Sequence, residues 1–195
     1  VFTGECKLFR NKRDMLFMFI LFAAFLEYSK ISEFFNDFSI SIAGRRRGGP
    51  AQVAVLSSSL MGTMSGSAVA NVATTGAFTI PLMKKKGYNK NFSGAVEAAA
   101  STGGQLMPPI MGAAAFIMSA YLGIPYIRIL FAGIVPALLY YLGIFVSIDL
   151  EARRAGLKGL PEETLPKLGQ VIKERGYLVI PIIIVILILV IGRTP

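Results

Sequence analysis

The 195-residue chain has no tryptophan, no histidine and a single cysteine, Cys6. One thiol can close no internal disulfide. With neither histidine nor a second cysteine there is no ligand set for a structural zinc and no Cys-His pair for catalysis. Carboxylates are also scarce, with 11 Asp and Glu against 20 Lys and Arg for a net charge of +9. In a soluble protein that excess would point to nucleic acid, but the cationic runs carry no interleaved aromatics on which bases could stack. They form short clusters instead, Arg45, Arg46 and Arg47, then Lys84, Lys85 and Lys86, then Arg153 and Arg154, each beside an apolar segment. That is how cytoplasmic flanks of membrane segments look, and it argues against a nucleic-acid partner. ATP has no site either, since residues 62–66 lack the GK[ST] ending of a phosphate-binding loop.

What the chain does have is apolar length. Hydrophobic residues make up 54% of it, and stretches such as 127–148 and 179–191 are foreign to ordinary soluble domains. The expected class is an all-α polytopic membrane protein with the lipid bilayer as a partner. The sequence begins at Val1 and ends at Pro195 just beyond an apolar segment, so it reads as a piece of a longer polypeptide. The basic patch at 7–13 leads into an apolar run without the small-residue cleavage site of a signal peptide.

Taken in order, residues 15–26 are apolar and aromatic but short for a span. Residues 31–43, ISEFFNDFSISIA, set Phe34, Phe35, Phe38 and Ile42 at helical spacing, which predicts an amphipathic helix lying at the interface or packed on protein. RRRGGP at 45–50 ends it. Between the first two basic clusters lie residues 51–83. As one helix they would run about 50 Å against a hydrocarbon core of about 30 Å, with cations at both ends that favour the same side. Folding back at 65–71 resolves both problems, giving legs of about 22 Å and a re-entrant hairpin whose polar tip, SGSAVAN, sits near mid-membrane. Residues 92–123 are again too long for one span and contain Gly103, Gly104, Pro108 and Pro109. Proline removes an N–H and clashes with the preceding turn, so this helix must break around 103–109. Residues 126–148 form a clear span, 151–176 a polar cytoplasmic loop, and 177–191 a last span. The chain thus divides into 1–50, a scaffold span with the interfacial helix and an atypical 1–14; 51–123, the hairpin and broken helix; and 124–195, two further spans joined by a loop.

Small residues in membrane helices most often serve helix packing. Packing needs only smallness, whereas Ser65, Gly66, Ser67, Asn71, Thr74 and Thr75 also bring hydroxyls and an amide to one tip. Oxygens without a carboxylate suit a monovalent hard cation such as Na⁺, because a divalent ion would recruit Asp or Glu. Inward-pointing half-helix N-termini offer N–H groups to an anionic substrate. Glu97 lies about two turns inside a membrane segment and is by default a functional candidate. Its nearness to the cytoplasmic end favours a structural reading, with the carboxylate reaching water or pairing with Lys84 to Lys86.

At these residues the chain resembles the large membrane subunit of TRAP transporters, the tripartite ATP-independent periplasmic carriers, and among them the TAXI-type fused permeases. The resembling block runs from about Phe22 to Pro195, with GTMSGSAVANVATTGAFTIPLMKKKGY and EAAASTGGQLMPPIMGAAAFIM as its most specific parts, while Val1 to about Arg13 departs from the pattern. The resemblance implies an elevator-type transporter of two inverted repeats, each with a re-entrant hairpin and a broken helix, of which this chain supplies the first. It implies sodium-coupled uptake of organic anions, carboxylate-type solutes, delivered by a periplasmic substrate-binding protein, in a bacterial or archaeal inner membrane. Ser65, Gly66, Ser67 and Asn71 then match the hairpin tip, and Ser101, Thr102, Gly103, Pro108 and Pro109 the broken helix, with Ser65, Asn71 and Gly103 as sodium candidates. No covalent chemistry is expected, so the chain reads as a carrier and not an enzyme. A passive channel or pore subunit is the alternative, since a filter can also use Gly, Ser and Thr carbonyls.

Overall fold

The computed structural model describes residues 31–157, 159–161 and 165–190, the last three without side chains, and isolated positions between 17 and 29. The atypical 1–14 and most of the first predicted span fall outside the described residues. Within them the chain is all-α, with no strand.

The first helix, α1 (Ile31–Ala43), carries Glu33 in its first turn, where a carboxylate meets the positive end of the helix dipole. Its aromatic face is packed on protein. Phe34 and Phe35 are buried against Met61, Met64 and Ile110, while Ile42 remains exposed. Phe34 and Phe35 of the predicted apolar face thus turn onto protein.

A left-handed Gly48 (φ 74°) and Pro50 in the first turn open α2 (Gly49–Ser65). Gly66, also left-handed (φ 56°), closes it by donating its N–H to the Gly62 carbonyl. Ser67 then caps α3 (Ala68–Lys85), its hydroxyl accepting from the Ala70 N–H at 3.4 Å. The fold-back expected over 65–71 is therefore a two-residue turn, Gly66 and Ser67. The legs have 17 and 18 residues, about 26 and 27 Å, somewhat longer than expected but still short of a hydrocarbon core of about 30 Å.

Asn89 caps α4 (Lys90–Gly103), which gives way to a 3₁₀ turn (Gly104–Leu106), an extended Met107, a cis Pro108–Pro109 bond and Met111 at φ 56°. The backbone is not left open through this break. Met107 and Met111 donate back to Gly104 and Met107, and the Gly112 N–H closes on the Gln105 carbonyl at 2.8 Å. Helix α5 (Ala113–Leu122) resumes, and after Gly123 α6 (Tyr126–Arg154) is the one described helix long and apolar enough to cross a membrane. A short α7 (Leu168–Arg175), a 3₁₀ turn (Gly176–Val179) and α8 (Ile180–Val190) follow. Arg175 of α7 reaches Glu33 at 2.9 Å and Asp37 at 3.6 Å on α1. Asp37 stands above the usual carboxylate range because burial outweighs the pull of Arg175.

Three apolar clusters hold these elements. One joins α1, α2, α7 and α8; a second joins α2, α3, α4 and α6 through Ala51, Val55, Met83, Val96 and Ile148; a third joins α5 to the start of α6. The second cluster also gathers the three cationic runs at one end of the molecule. A Cβ on Gly48 would lie 3.1 Å from the Ala152 Cβ and 3.3 Å from the Tyr88 hydroxyl, so the residues next to each basic run are in contact.

Candidate functional site at the hairpin and the helix break

The hairpin and the break are docked so closely that only glycine fits at the contact. A Cβ on Gly62 would sit 2.3 Å from the Gly104 Cα, and one on Gly66 1.9 Å from the Met111 carbonyl oxygen. Between these points the Ile110 N–H donates to the Thr63 carbonyl at 3.3 Å. The last turn of α2 thus lies backbone to backbone along residues 104–112. The small residues of the tip have a packing use after all, concentrated at Gly62 and Gly66.

Asn71, in the first turns of α3, is 1% exposed. Its Nδ2 donates to the Ser58 carbonyl of the opposite leg at 2.8 Å. Its Oδ1 is buried and has no partner among the described residues. A buried amide oxygen without a donor costs about 1–3 kcal/mol, so this atom is kept in place against a penalty. A Cβ on Gly104 would come within 3.0 Å of the same side chain, so Asn71 stands where the hairpin meets the break.

Behind Asn71 lies a hydroxyl cage around Glu97. The carboxylate is fully buried. Oε1 accepts from Ser58 (3.0 Å), Ser101 (3.2 Å) and, in a very short contact, Thr75; Oε2 accepts from Thr79 at 2.5 Å. Glu97 has no exposed surface, and among the described residues no lysine or arginine pairs with it, which overturns both expected settings, contact with water and pairing with Lys84 to Lys86. That expectation counted residues from the helix end and ignored direction. Asn71, Thr75 and Thr79 recur every four residues on α3, as do Glu97 and Ser101 on α4, so they share faces turned toward each other. This pair of stripes was the signal that could have revealed the cage, and Ser58 and Thr79 were missed without it.

The remaining sequence-derived candidates are more dispersed. Ser65 and Ser67 engage each other at the turn, where Ser67 is exposed. Thr74 donates to the Ala70 carbonyl and the exposed Thr102 to the Ala98 carbonyl, both within their own helices. Thr75 and Ser101 belong to the Glu97 cage. Gly103 is packed beneath aromatic rings, since a Cβ there would meet Tyr140 Cε1 at 2.5 Å. Tyr140 and Tyr141 donate to the Ala99 and Ala100 carbonyls, clamping α6 onto the last turn of α4. Pro109 is buried, and its carbonyl with that of Ile110 accepts from the Tyr126 hydroxyl at 2.8 and 2.6 Å. Among the three sodium candidates, Asn71 is the one that offers an unpartnered buried oxygen.

Set beside known proteins, residues 9–195 match the family described as the Tripartite ATP-independent periplasmic transporter, DctM component. The chain is 32% identical over 145 residues to the C4-dicarboxylate TRAP transporter large permease protein DctM of Vibrio cholerae, covering 74% of this chain and 31% of the relative. It is 31% identical to the isethionate TRAP transporter permease protein DctMQ of Oleidesulfovibrio alaskensis over 72% of this chain and 22% of the relative. To the sialic acid TRAP transporter permease protein SiaT of Haemophilus influenzae it is 26% identical, over 86% and 27% respectively. The chain thus spans about a third or less of the length of these relatives.

Proposed function

The chain belongs to the DctM family of TRAP transporter permeases, and from that premise we propose that it forms the first repeat of a secondary-active importer in a cell membrane. It is a transporter component and not an enzyme. In this reading α2 and α3 are a re-entrant hairpin entered and left from the cytoplasmic side, and α4 and α5 are the halves of a broken helix beside it. Residues 51–123 then form the moving domain of an elevator, with a second, inverted repeat of the same polypeptide completing it. The gathering of the three basic runs at one end supports the topology, because the positive-inside bias places all three in the cytoplasm together. The exposed face of α6, with Phe131, Val135, Leu138, Leu142 and Val146, suits lipid or the missing repeat.

The observation that carries the site is the buried, unpartnered Oδ1 of Asn71 at the junction between hairpin and break. An amide oxygen among hydroxyls and backbone carbonyls is a hard, neutral donor, fit for Na⁺. Asn71 would hold the ion together with carbonyls at the break. The carboxylate that the sequence argument took to be absent is nearby as Glu97, but its oxygens are already taken by four hydroxyls. The bound cation would supply positive charge that an organic anion can meet. The named relatives carry a C4-dicarboxylate, isethionate and sialic acid, all anions, and we extend that class to this chain. Delivery by a periplasmic substrate-binding protein and a TAXI-type fused arrangement belong to the same reading.

The test is uptake into proteoliposomes holding the full-length transporter, with its binding protein outside. Saturable uptake that needs both the binding protein and an inward Na⁺ gradient is expected. Uptake indifferent to the gradient would remove the sodium coupling, and unsaturable flux without the binding protein would favour a pore.

A further inference from the structure

Glu97, on the first half of the broken helix, is a fully buried carboxylate, and nothing in the proposed transport step uses it. Four facts bear on its role. Its partners come from three helices: Ser58 on α2, Thr75 and Thr79 on α3, and Ser101 on its own α4. Ser58 touches Glu97 through its hydroxyl and Asn71 through its carbonyl, so one residue joins the cage to the tip. Thr75 and Thr79 have second acceptors within reach, the Asn71 carbonyl at 2.8 Å and the Thr75 carbonyl at 3.0 Å. Finally, a Cβ on Gly76 would lie 3.2 Å from the Glu97 Cγ, so at Gly76 the α3 backbone meets the glutamate directly.

We propose that Glu97 is a positioning residue that draws both legs of the hairpin onto the broken helix and, through Ser58, fixes Asn71 with its Oδ1 free for a ligand. A buried carboxylate without donors is costly, so the hydroxyls on α2 and α3 are held to it. Those hydroxyls sit on opposite legs, so satisfying Glu97 sets the spacing of the legs. That spacing decides whether the Asn71 amide reaches the Ser58 carbonyl. The function at stake is geometry, and this separates it from a role for the charge itself. Among the described residues, α2 carries no ionisable group, α3 carries Lys84 and Lys85 at its far end, α4 carries Lys90 at its start, and α6 presents Tyr140 and Tyr141, which are committed to carbonyls. No charge is placed to answer a change in the state of Glu97.

A glutamine tests this cleanly. With its oxygen in place of Oε1 it keeps the Ser58, Thr75 and Ser101 bonds. Its NH₂ in place of Oε2 donates to Thr79, whose own proton turns to the Thr75 carbonyl. Aspartate, shorter by a methylene, cannot reach every partner, and alanine reaches none.

The experiment compares Glu97→Gln, Glu97→Asp and Glu97→Ala in the full-length protein. The first readout is amide hydrogen exchange of the detergent-purified protein, which needs no transport. Glu97→Ala should raise exchange at least about 10-fold over residues 62–75 and 104–112 while α6 keeps wild-type protection, and Glu97→Gln should stay within about 3-fold of wild type. The second readout is the solute and Na⁺ half-saturation of uptake at equal protein: raised about 10-fold or more for alanine, near wild type for glutamine, intermediate for aspartate. This second arm rests on the proposed transport function. If the wild type shows no binding-protein-dependent uptake, that reading fails while the exchange data still decide the role of Glu97. Glutamine as damaging as alanine would overturn the proposal in favour of the charge. Exchange raised equally in α6, or unchanged at the tip in Glu97→Ala, would overturn it as well.

Discussion

Replacing Gly62 by alanine tests the docking of hairpin on break with one methyl group. The new Cβ would stand 2.3 Å from the Gly104 Cα, where carbon atoms in contact keep about 3.5–4.0 Å. The two backbones must part by roughly 1.2 Å or more along that line. The neighbouring bond from the Ile110 N–H to the Thr63 carbonyl, already 3.3 Å, then passes the range of a hydrogen bond. Overpacking of this kind costs about 1–3 kcal/mol, and the lost bond about 1 kcal/mol more. Against this, alanine is favoured over glycine inside a helix by about 1 kcal/mol, which leaves a net loss of about 1–3 kcal/mol. Gly94 on α4 is the control, since a Cβ there meets nothing within 4 Å in this chain. Thermal unfolding of the purified full-length variants, followed by uptake, reads the difference. Gly62→Ala should melt lower and transport poorly, while Gly94→Ala should do neither. A Gly62→Ala protein as stable and as active as wild type would refute the close approach.

Tyr126→Phe removes the hydroxyl that bonds the Pro109 and Ile110 carbonyls, leaving buried acceptors unmet; a loss of about 1–3 kcal/mol is expected, seen as a lower melting temperature with α6 otherwise intact. Tyr88, in the turn beside the basic runs, has a buried hydroxyl without a partner among the described residues, and burial, with help from Glu151, pushes it up to about 12. Its folded value lies above the unfolded value near 10, so the native state holds the phenol proton longer. Its contribution is intact below pH 10 and is lost as pH rises toward 12. Unfolding measured across that window should show an alkaline decline that is smaller in Tyr88→Phe. At neutral pH the same variant should gain about 1 kcal/mol by shedding an unmet hydroxyl.

How much of this could be read from residues alone depends on whether local chemistry or partner geometry decides. The fold-back was legible because the cations flanking 51–83 and the length between them admit few solutions, while its exact seat at a left-handed Gly66 and a capping Ser67 was not read. The break was legible because Gly103, Gly104, Pro108 and Pro109 remove helix bonds wherever they stand. What escaped was which partner each residue meets. The seat that Gly103 makes for Tyr140 was not foreseen, and neither was the contact of Gly62 with Gly104, although Gly104 was marked as part of the break. Glu97 was assigned to water or to Lys84 to Lys86 by its distance along the chain. The structure turns it toward the other face, where only the four-residue recurrence of Asn71, Thr75 and Thr79 gave notice of it. Packing of one helix on another decides such matters, and a single helix does not contain that information.

The central claim is that the junction of hairpin and break holds the coupling ion, with Asn71 Oδ1 among its ligands. The most direct measurement is the Na⁺ activation curve of binding-protein-dependent uptake for the wild type and for Asn71→Ala, in proteoliposomes matched for transporter content. The account predicts a half-saturating Na⁺ concentration raised at least about 10-fold in Asn71→Ala, equivalent to about 1.4 kcal/mol of lost ion binding. An unshifted Na⁺ curve in a well-folded Asn71→Ala protein would contradict it.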